Sequence, residues 1–309
     1  MNILNNRWTA LGWAVAALVL LLSFGTLMQP ITMSFVAIPF VVLFTTLSTA
    51  AFTACVAAVL LIVFLLLQPI GSIVVLISLY FIIPAIVMGF LFKRQRTGWS
   101  VFVGGTLAFL IQSLLALGLT SYLFQVDITT YLHEYLTQYQ KLAADMGVTM
   151  PNMPSVDEQV AYISMRLPSL LIAGAIYIGS ITYAISRRLL TAQGVSVQRM
   201  KPVKYWMLPK SLLWYYLVAM ILDLVIVKEA GSFLTLVIVN LYEILQVAFI
   251  VQGVSFLFFY ADFKGWKRAL PVTLTILVVI FPPFQYICRL VGIIDMAFPL
   301  RQAVSRPKQ

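Results

Sequence analysis

Asn240, Glu243 and Gln246 lie three residues apart inside an apolar run from 232 to 260. At helical spacing they share one face. A carboxylate at the centre of a bilayer costs about 2.5–3.5 kcal/mol on insertion scales, so it requires a partner or a use. The chemistry open to such a face is solute binding, proton binding or hydrogen bonding to another helix. Glu243 lies roughly 16 Å from the start of its run at helical rise, which makes it the deepest charge in the chain. Asp223, in the run 211–228, and Arg289, in the last run with Asp295, complete the polar-core candidates. Arg289 is expected either to neutralise Glu243 or Asp223 across the bundle or to snorkel to an interface. Arg166 opens its run from one end and is expected to be an interfacial anchor.

The sequence lacks the residues for most other chemistry. His133 is the only histidine and lies between runs, which argues against histidine-based acid–base or metal chemistry in the apolar part. Cys55 and Cys288 both sit in apolar runs, with no CxxC, so neither a disulfide framework nor a zinc site is expected. Gly104-Gly105-Thr106 is not a phosphate-binding loop, and no GxSxG or HExxH occurs. Met146, Met150, Met153 and Met165 are apolar filler sooner than copper ligands. The expectation is a protein that is not an enzyme and holds no cofactor or metal.

The elements that position these residues follow from composition. The chain has 309 residues, 62% of them hydrophobic and 10% charged, with a mean hydropathy of +1.00. Nine apolar runs follow one another, roughly 8–28, 31–48, 51–67, 71–92, 100–124, 167–186, 211–228, 232–260 and 269–298. A helix crosses about 30 Å of hydrocarbon in about 20 residues. Runs of that length, apolar on all sides, predict an all-α polytopic transmembrane helical bundle of about eight to nine membrane segments. The run 232–260 is long enough to need tilting or to extend beyond the bilayer. Pro39 and Pro84 fall inside runs and predict kinks. We expect two parts, a six-helix bundle over 1–190 with a long outer loop at 125–165, and a basic loop with a C-terminal unit of about three segments over 191–309.

Charge sets the expected orientation. Lys93, Arg94 and Arg96 occupy one short loop, Arg187, Arg188, Arg199, Lys201, Lys204 and Lys210 a second, and Lys264, Lys267 and Arg268 a third. Placing all three in the cytoplasm, with Arg7, agrees with alternating spans. The 20 Lys and Arg residues against 10 Asp and Glu therefore speak for orientation and anionic lipid, not for nucleic acid. Arg199, Lys201 and Lys204 are the candidates for binding lipid or a partner. The loop 125–165 carries Asp127, Glu134, Asp145, Asp157 and Glu158 and falls outside. Within it Ile128, Tyr131, Leu132, Tyr135, Leu136, Tyr139 and Leu142 recur at helical spacing, predicting an amphipathic helix that ends in the 146–154 turn. Arg301, Arg306 and Lys308 belong in the cytoplasm, whereas nine full crossings place them outside. Pro282-Pro283 leaves two solutions, a re-entrant hairpin of 269–281 and 284–298 or one kinked span.

Small residues at four-residue spacing, Ala10 with Ala14 and Ala50 with Ala54 and Ala58, permit close helix approach and are candidates for docking another helix. Gly104, Gly105 and Ala108 offer the same in the fifth run.

The segment plan and the stretch Gly292-Ile-Ile-Asp295-Met-Ala-Phe298-Pro-Leu-Arg301 resemble the YybS-like family of bacterial polytopic membrane proteins and its glycine–aspartate–phenylalanine–arginine close. Pro299 departs from that close, so a regular helix is not expected to reach Arg301. The resemblance spans nearly the whole chain and implies a multi-pass protein of the bacterial cell membrane, with no activity to carry over. Residues 1–190, through Ala10 and Ala14, also resemble the substrate-binding subunits of energy-coupling-factor transporters. In those subunits an alanine pair on the first helix docks a scaffold subunit, and solutes bind near the outer face. The leading expectation is a transport-related fold that binds a small molecule from the outer side under the 125–165 loop. The alternative is a membrane scaffold recruiting protein partners through the basic loop 187–210.

Overall fold

The computed structural model describes residues 3–125, 127–147, 153–226, 232–298 and 300–305. The side chain of Arg7, together with Met150, Pro299, Arg306, Lys308 and the middle of the 146–154 turn, lies outside the described residues. The regular elements among the described residues are all helices: α1 (Ile3–Leu22), α2 (Gln29–Thr32), α3 (Ala37–Thr46), α4 (Thr49–Leu66), α5 (Gly71–Lys93), α6 (Gly98–Phe124), α7 (Ile128–Asp145), α8 (Val156–Ala192), α9 (Ser211–Val225), α10 (Phe233–Phe263), α11 (Ala269–Ile280), α12 (Pro282–Ala297) and α13 (Leu300–Ser305). Among the described residues seven helical stretches are long and apolar enough to cross a bilayer, or eight if the bent pair α11–α12 is one span. The run 211–228 forms the 15-residue α9. At helical rise that is about 22 Å, short of a bilayer, so this expected segment falls below a full crossing.

The chain divides into two compact units, 1–127 with 171–200, and 128–170 with 201–309. The boundary expected near residue 190 is thus placed differently. Residues 128–170 group with the C-terminal part, and the division runs through α8.

In unit 1 the centre is α3, where every residue from Ala37 to Phe44 is buried. A helix buried on all sides needs no polar face, and this one has none. Pro39 sits in its first turn, and the missing N–H leaves the helix tightened to a 3-10 turn at Met33–Phe35 just upstream. Glycines let the neighbours close in. A Cβ at Gly89 of α5 would stand 2.8 Å from the Phe44 ring, and one at Gly105 of α6 would stand 2.0 Å from Met88. The close approach expected of Gly104 and Gly105 is present. Ala10 and Ala14 pack against this core, while Ala50, Ala54 and Ala58 lie exposed along α4.

Unit 2 is built on α10 and α12. Phe249 and Leu245 meet Tyr216 and Ala219 of α9 and Met296 of α12. Partner pairs advance together along α10 and α12: Gln246 meets Arg289, the Phe249 carbonyl meets Gly292, Gln252 meets Asp295, and Ser255 meets Arg301. The two helices therefore run parallel. The axis of α12 is turned by 115° from that of α11 at Phe281, which together with the parallel course of α10 and α12 favours the re-entrant hairpin of the two expected solutions. Since α12 follows α10 in direction, Arg301 returns to the end of unit 2 that carries Lys204 and Asp262, where its guanidinium donates to the Lys204 carbonyl at 2.7 Å. Of the three C-terminal charges, Arg301 is the one within the described residues. As expected from Pro299, α12 stops at Ala297 and α13 begins at Leu300.

Candidate functional site

Pro168 cannot donate to the carbonyl one turn back, so α8 has a weak point there. Asn240 of α10 fills it. Its Oδ1 accepts the backbone N–H of Ser169 at 2.8 Å, and its Nδ2 donates to the Met165 carbonyl at 2.8 Å and to the Leu236 carbonyl at 2.7 Å. Ser169 N–H and Met165 C=O are the two groups that an undisturbed helix joins to each other. A side-chain amide thus splints α8 at the proline. One turn further along α10, Glu243 Oε2 lies 2.6 Å from Ser169 Oγ, and Oε1 accepts from Arg166 Nε. The Arg166 guanidinium also stacks on Tyr162, 3.6 Å from the ring centroid. The two charged side chains keep 20% and 27% of their surface accessible.

This geometry revises three expectations. Glu243 is paired by Arg166, not by Arg289. Arg166 is an ion-pair partner and not merely an anchor. Glu243 is not deep either. Arg166 stands immediately before the apolar part of α8, and about 30 Å of α10 separates Glu243 from Lys264, one hydrocarbon thickness. The pair and Lys264 thus lie about one hydrocarbon thickness apart along α10.

Gln246 faces elsewhere. It accepts from Arg289, whose guanidinium lies 4.8 Å from the Tyr286 ring centroid. The polar face of α10 therefore divides, with Asn240 and Glu243 turned to α8 and Gln246 turned to α12. Asp223 is half-buried in the last turn of α9.

A second cluster lies about 13 Å further along α10, from Gln252 onward, and contains residues that sequence reasoning did not nominate. The Asp295 carboxylate, with no accessible side-chain surface, accepts from Gln252 Nε2 at 2.6 Å and from Arg301 Nη2 at 2.9 Å and Nε at 3.1 Å. Arg301 also donates to the Trp206 carbonyl and Ser255 Oγ, and Gln252 Oε1 accepts the Leu208 N–H at 3.0 Å. Four elements are pinned by one ion pair. The signal was present in the quoted close, where Gly292, Asp295 and Arg301 each have a contact to α10. A Cβ at Gly292 would stand 2.0 Å from the Phe249 carbonyl oxygen, so only glycine permits the approach that brings Asp295 to Gln252.

Of the basic-loop candidates, Arg199 and Lys201 are exposed, but they fall in different units. Lys204 is committed to Asp262 at 2.6 Å, and that hydrogen bond holds its ammonium above the ordinary lysine range. Among the described residues no group of three or more His, Cys, Asp or Glu side chains is placed to hold a metal ion.

The family described as predicted membrane protein (DUF2232) matches residues 14–296. The chain belongs to this family. The matched stretch takes in Arg166, Ser169, Asn240, Glu243 and Asp295 and stops short of Arg301. Among curated proteins this DUF2232 chain is similar to the uncharacterized protein YybS of Bacillus subtilis (strain 168), at 25% identity over 230 residues, covering 71% of this chain and 73% of that protein. No solved structure matches it. The YybS-like family expected from the C-terminal close is therefore the right one, and the chain is a multi-pass membrane protein.

Proposed function

We propose that this protein is a non-enzymatic, transport-related membrane protein of the bacterial cell membrane that binds a small solute from the outer side at the Arg166–Glu243 pair. The observation that carries this reading is the contrast between the two polar clusters on α10. Asp295 is sealed, whereas Arg166 and Glu243 remain partly accessible. Charges at a membrane boundary that are both braced and reachable suit reversible binding. The cationic ends of the spans, placed in the cytoplasm with the N-terminus, leave this pair facing out.

Native mass spectrometry of the gently solubilised protein tests the reading. The expected result is a bound small molecule on the wild type that Glu243→Gln and Arg166→Gln lose while remaining folded by size-exclusion chromatography. A wild type carrying only lipid and detergent, or variants that keep the same cargo, would remove the site from consideration.

A further inference from the structure

Unit 1 contains one acidic residue, Asp127, against seven basic ones: Arg7, Lys93, Arg94, Arg96, Arg187, Arg188 and Arg199. Asp127 follows the far end of α6, about 40 Å from Thr97 at helical rise. The cationic end of this unit therefore has no counter-charge of its own, and its anions must come from outside.

One of these cations is already engaged. Lys93 donates to the Leu47 carbonyl at 2.7 Å and sits 4.6 Å from the Phe44 ring centroid. Arg94 and Arg96 differ. Together with Gln95, Thr97 and Gln198 they line an open groove of roughly 440 Å³. Among the described residues neither arginine has a carboxylate within ion-pair distance. Arg94 is held in place by the Phe90 ring, 4.3 Å from its guanidinium carbon. Trp99, exposed and three residues beyond Arg96, is the kind of side chain that sits at headgroup level.

We propose that this groove binds the phosphate of an anionic glycerophospholipid, with Arg94 and Arg96 supplying forked donors and Gln198 a neutral one. Guanidinium groups match phosphate oxygens two at a time, so the pair selects a phosphate over a diffuse surface charge. The lipid source follows from Phe90 and Trp99, which place the groove beside acyl chains. This site is separate from the Arg166–Glu243 pair and does not depend on the function proposed above. Of the candidates that the sequence suggested, Lys201 and Lys204 do not line this groove, and Arg199 adjoins it through Gln198 and Gly98.

The test uses the full-length protein, delipidated in detergent and offered phosphatidylglycerol, phosphatidylcholine or inorganic phosphate, with bound species counted by native mass spectrometry. Phosphatidylglycerol is expected to be retained over phosphatidylcholine by at least about fivefold, the gain typical of one basic residue at an anionic surface. Arg94→Gln with Arg96→Gln should abolish that preference. Arg187→Gln with Arg188→Gln, which removes the same charge without changing a side chain that lines the groove, should keep it. Arg94→Lys with Arg96→Lys should retain only part of it. Equal loss in the Arg187/Arg188 variant, no preference in the wild type, or displacement of the lipid by inorganic phosphate would each overturn the proposal.

Discussion

The side-chain amide of Asn240 takes both ends of the α8 backbone bond at Ser169, accepting from its N–H and donating to the Met165 carbonyl, each at 2.8 Å. A proline one residue earlier makes this splint useful, because α8 has already lost one backbone donor at that turn. Asn240→Ala is expected to leave two buried backbone groups without this partner, costing about 1–3 kcal/mol for each one that stays unpaired. Thermal unfolding in detergent reads the loss. Asn240→Gln, with the same groups on a longer arm, should recover little of it.

The accessible pair Arg166–Glu243 separates stability from binding. A double-mutant cycle with Arg166→Gln and Glu243→Gln is expected to show a coupling of about 1 kcal/mol, kept small by solvent at the two side chains. The double variant should regain stability relative to either single variant and still fail to hold solute. Solute retained in the double variant would make the pair a structural tie.

Close packing of α10 on α12 depends on Gly253 and Gly292. A Cβ at either position would stand 2.0 Å from a carbonyl oxygen of the facing helix. Gly253→Val or Gly292→Val is expected to cost about 3 kcal/mol, the upper part of the range for overpacking, because a backbone must move. Gly118→Ala in α6, where nothing lies within 4 Å, should be neutral. Yield of monodisperse protein compares the three.

The sealed pair Asp295–Arg301 should tolerate little. Arg301→Gln leaves a buried carboxylate without its cation, at a cost of about 3–5 kcal/mol. The matching double change, Asp295→Asn with Arg301→Gln, should be milder than either single variant. Chemical denaturation measures the difference.

Placement of α12 parallel to α10 predicts one-sided labelling. In a background with Cys55 and Cys288 replaced by serine, Lys267→Cys and Gln302→Cys should react with a membrane-impermeant maleimide from the same face. Reaction from opposite faces would mean that α11 and α12 together cross the bilayer.

Fold class was legible because hydrocarbon imposes a strong rule, about 20 apolar residues per crossing, and runs such as 71–92 obey it without a charge. The C-terminal break was legible as two alternatives, since Pro282-Pro283 shows where a helix stops but not which way the chain leaves. Direction comes from long-range pairs such as Gln252 with Asp295, which one sequence does not reveal. For the same reason Glu243 was found and its partner was not. Spacing within a helix reports a shared face, whereas the approach of Arg166 is set by how α8 and α10 cross. Ala10 and Ala14 had the spacing of a docking surface, but the same spacing serves internal packing, and that is where they lie.

The parallel course of α10 and α12 also has a meaning for biosynthesis. Residues 128–170 emerge from the ribosome well before α10, and α10 before the hairpin that returns along it. Arg166 therefore waits for Glu243 through 77 residues of synthesis, whereas Asp295 and Arg301 are only 6 residues apart. The face of α10 that receives Gly292 and Asp295 thus stays uncovered until the hairpin has been made.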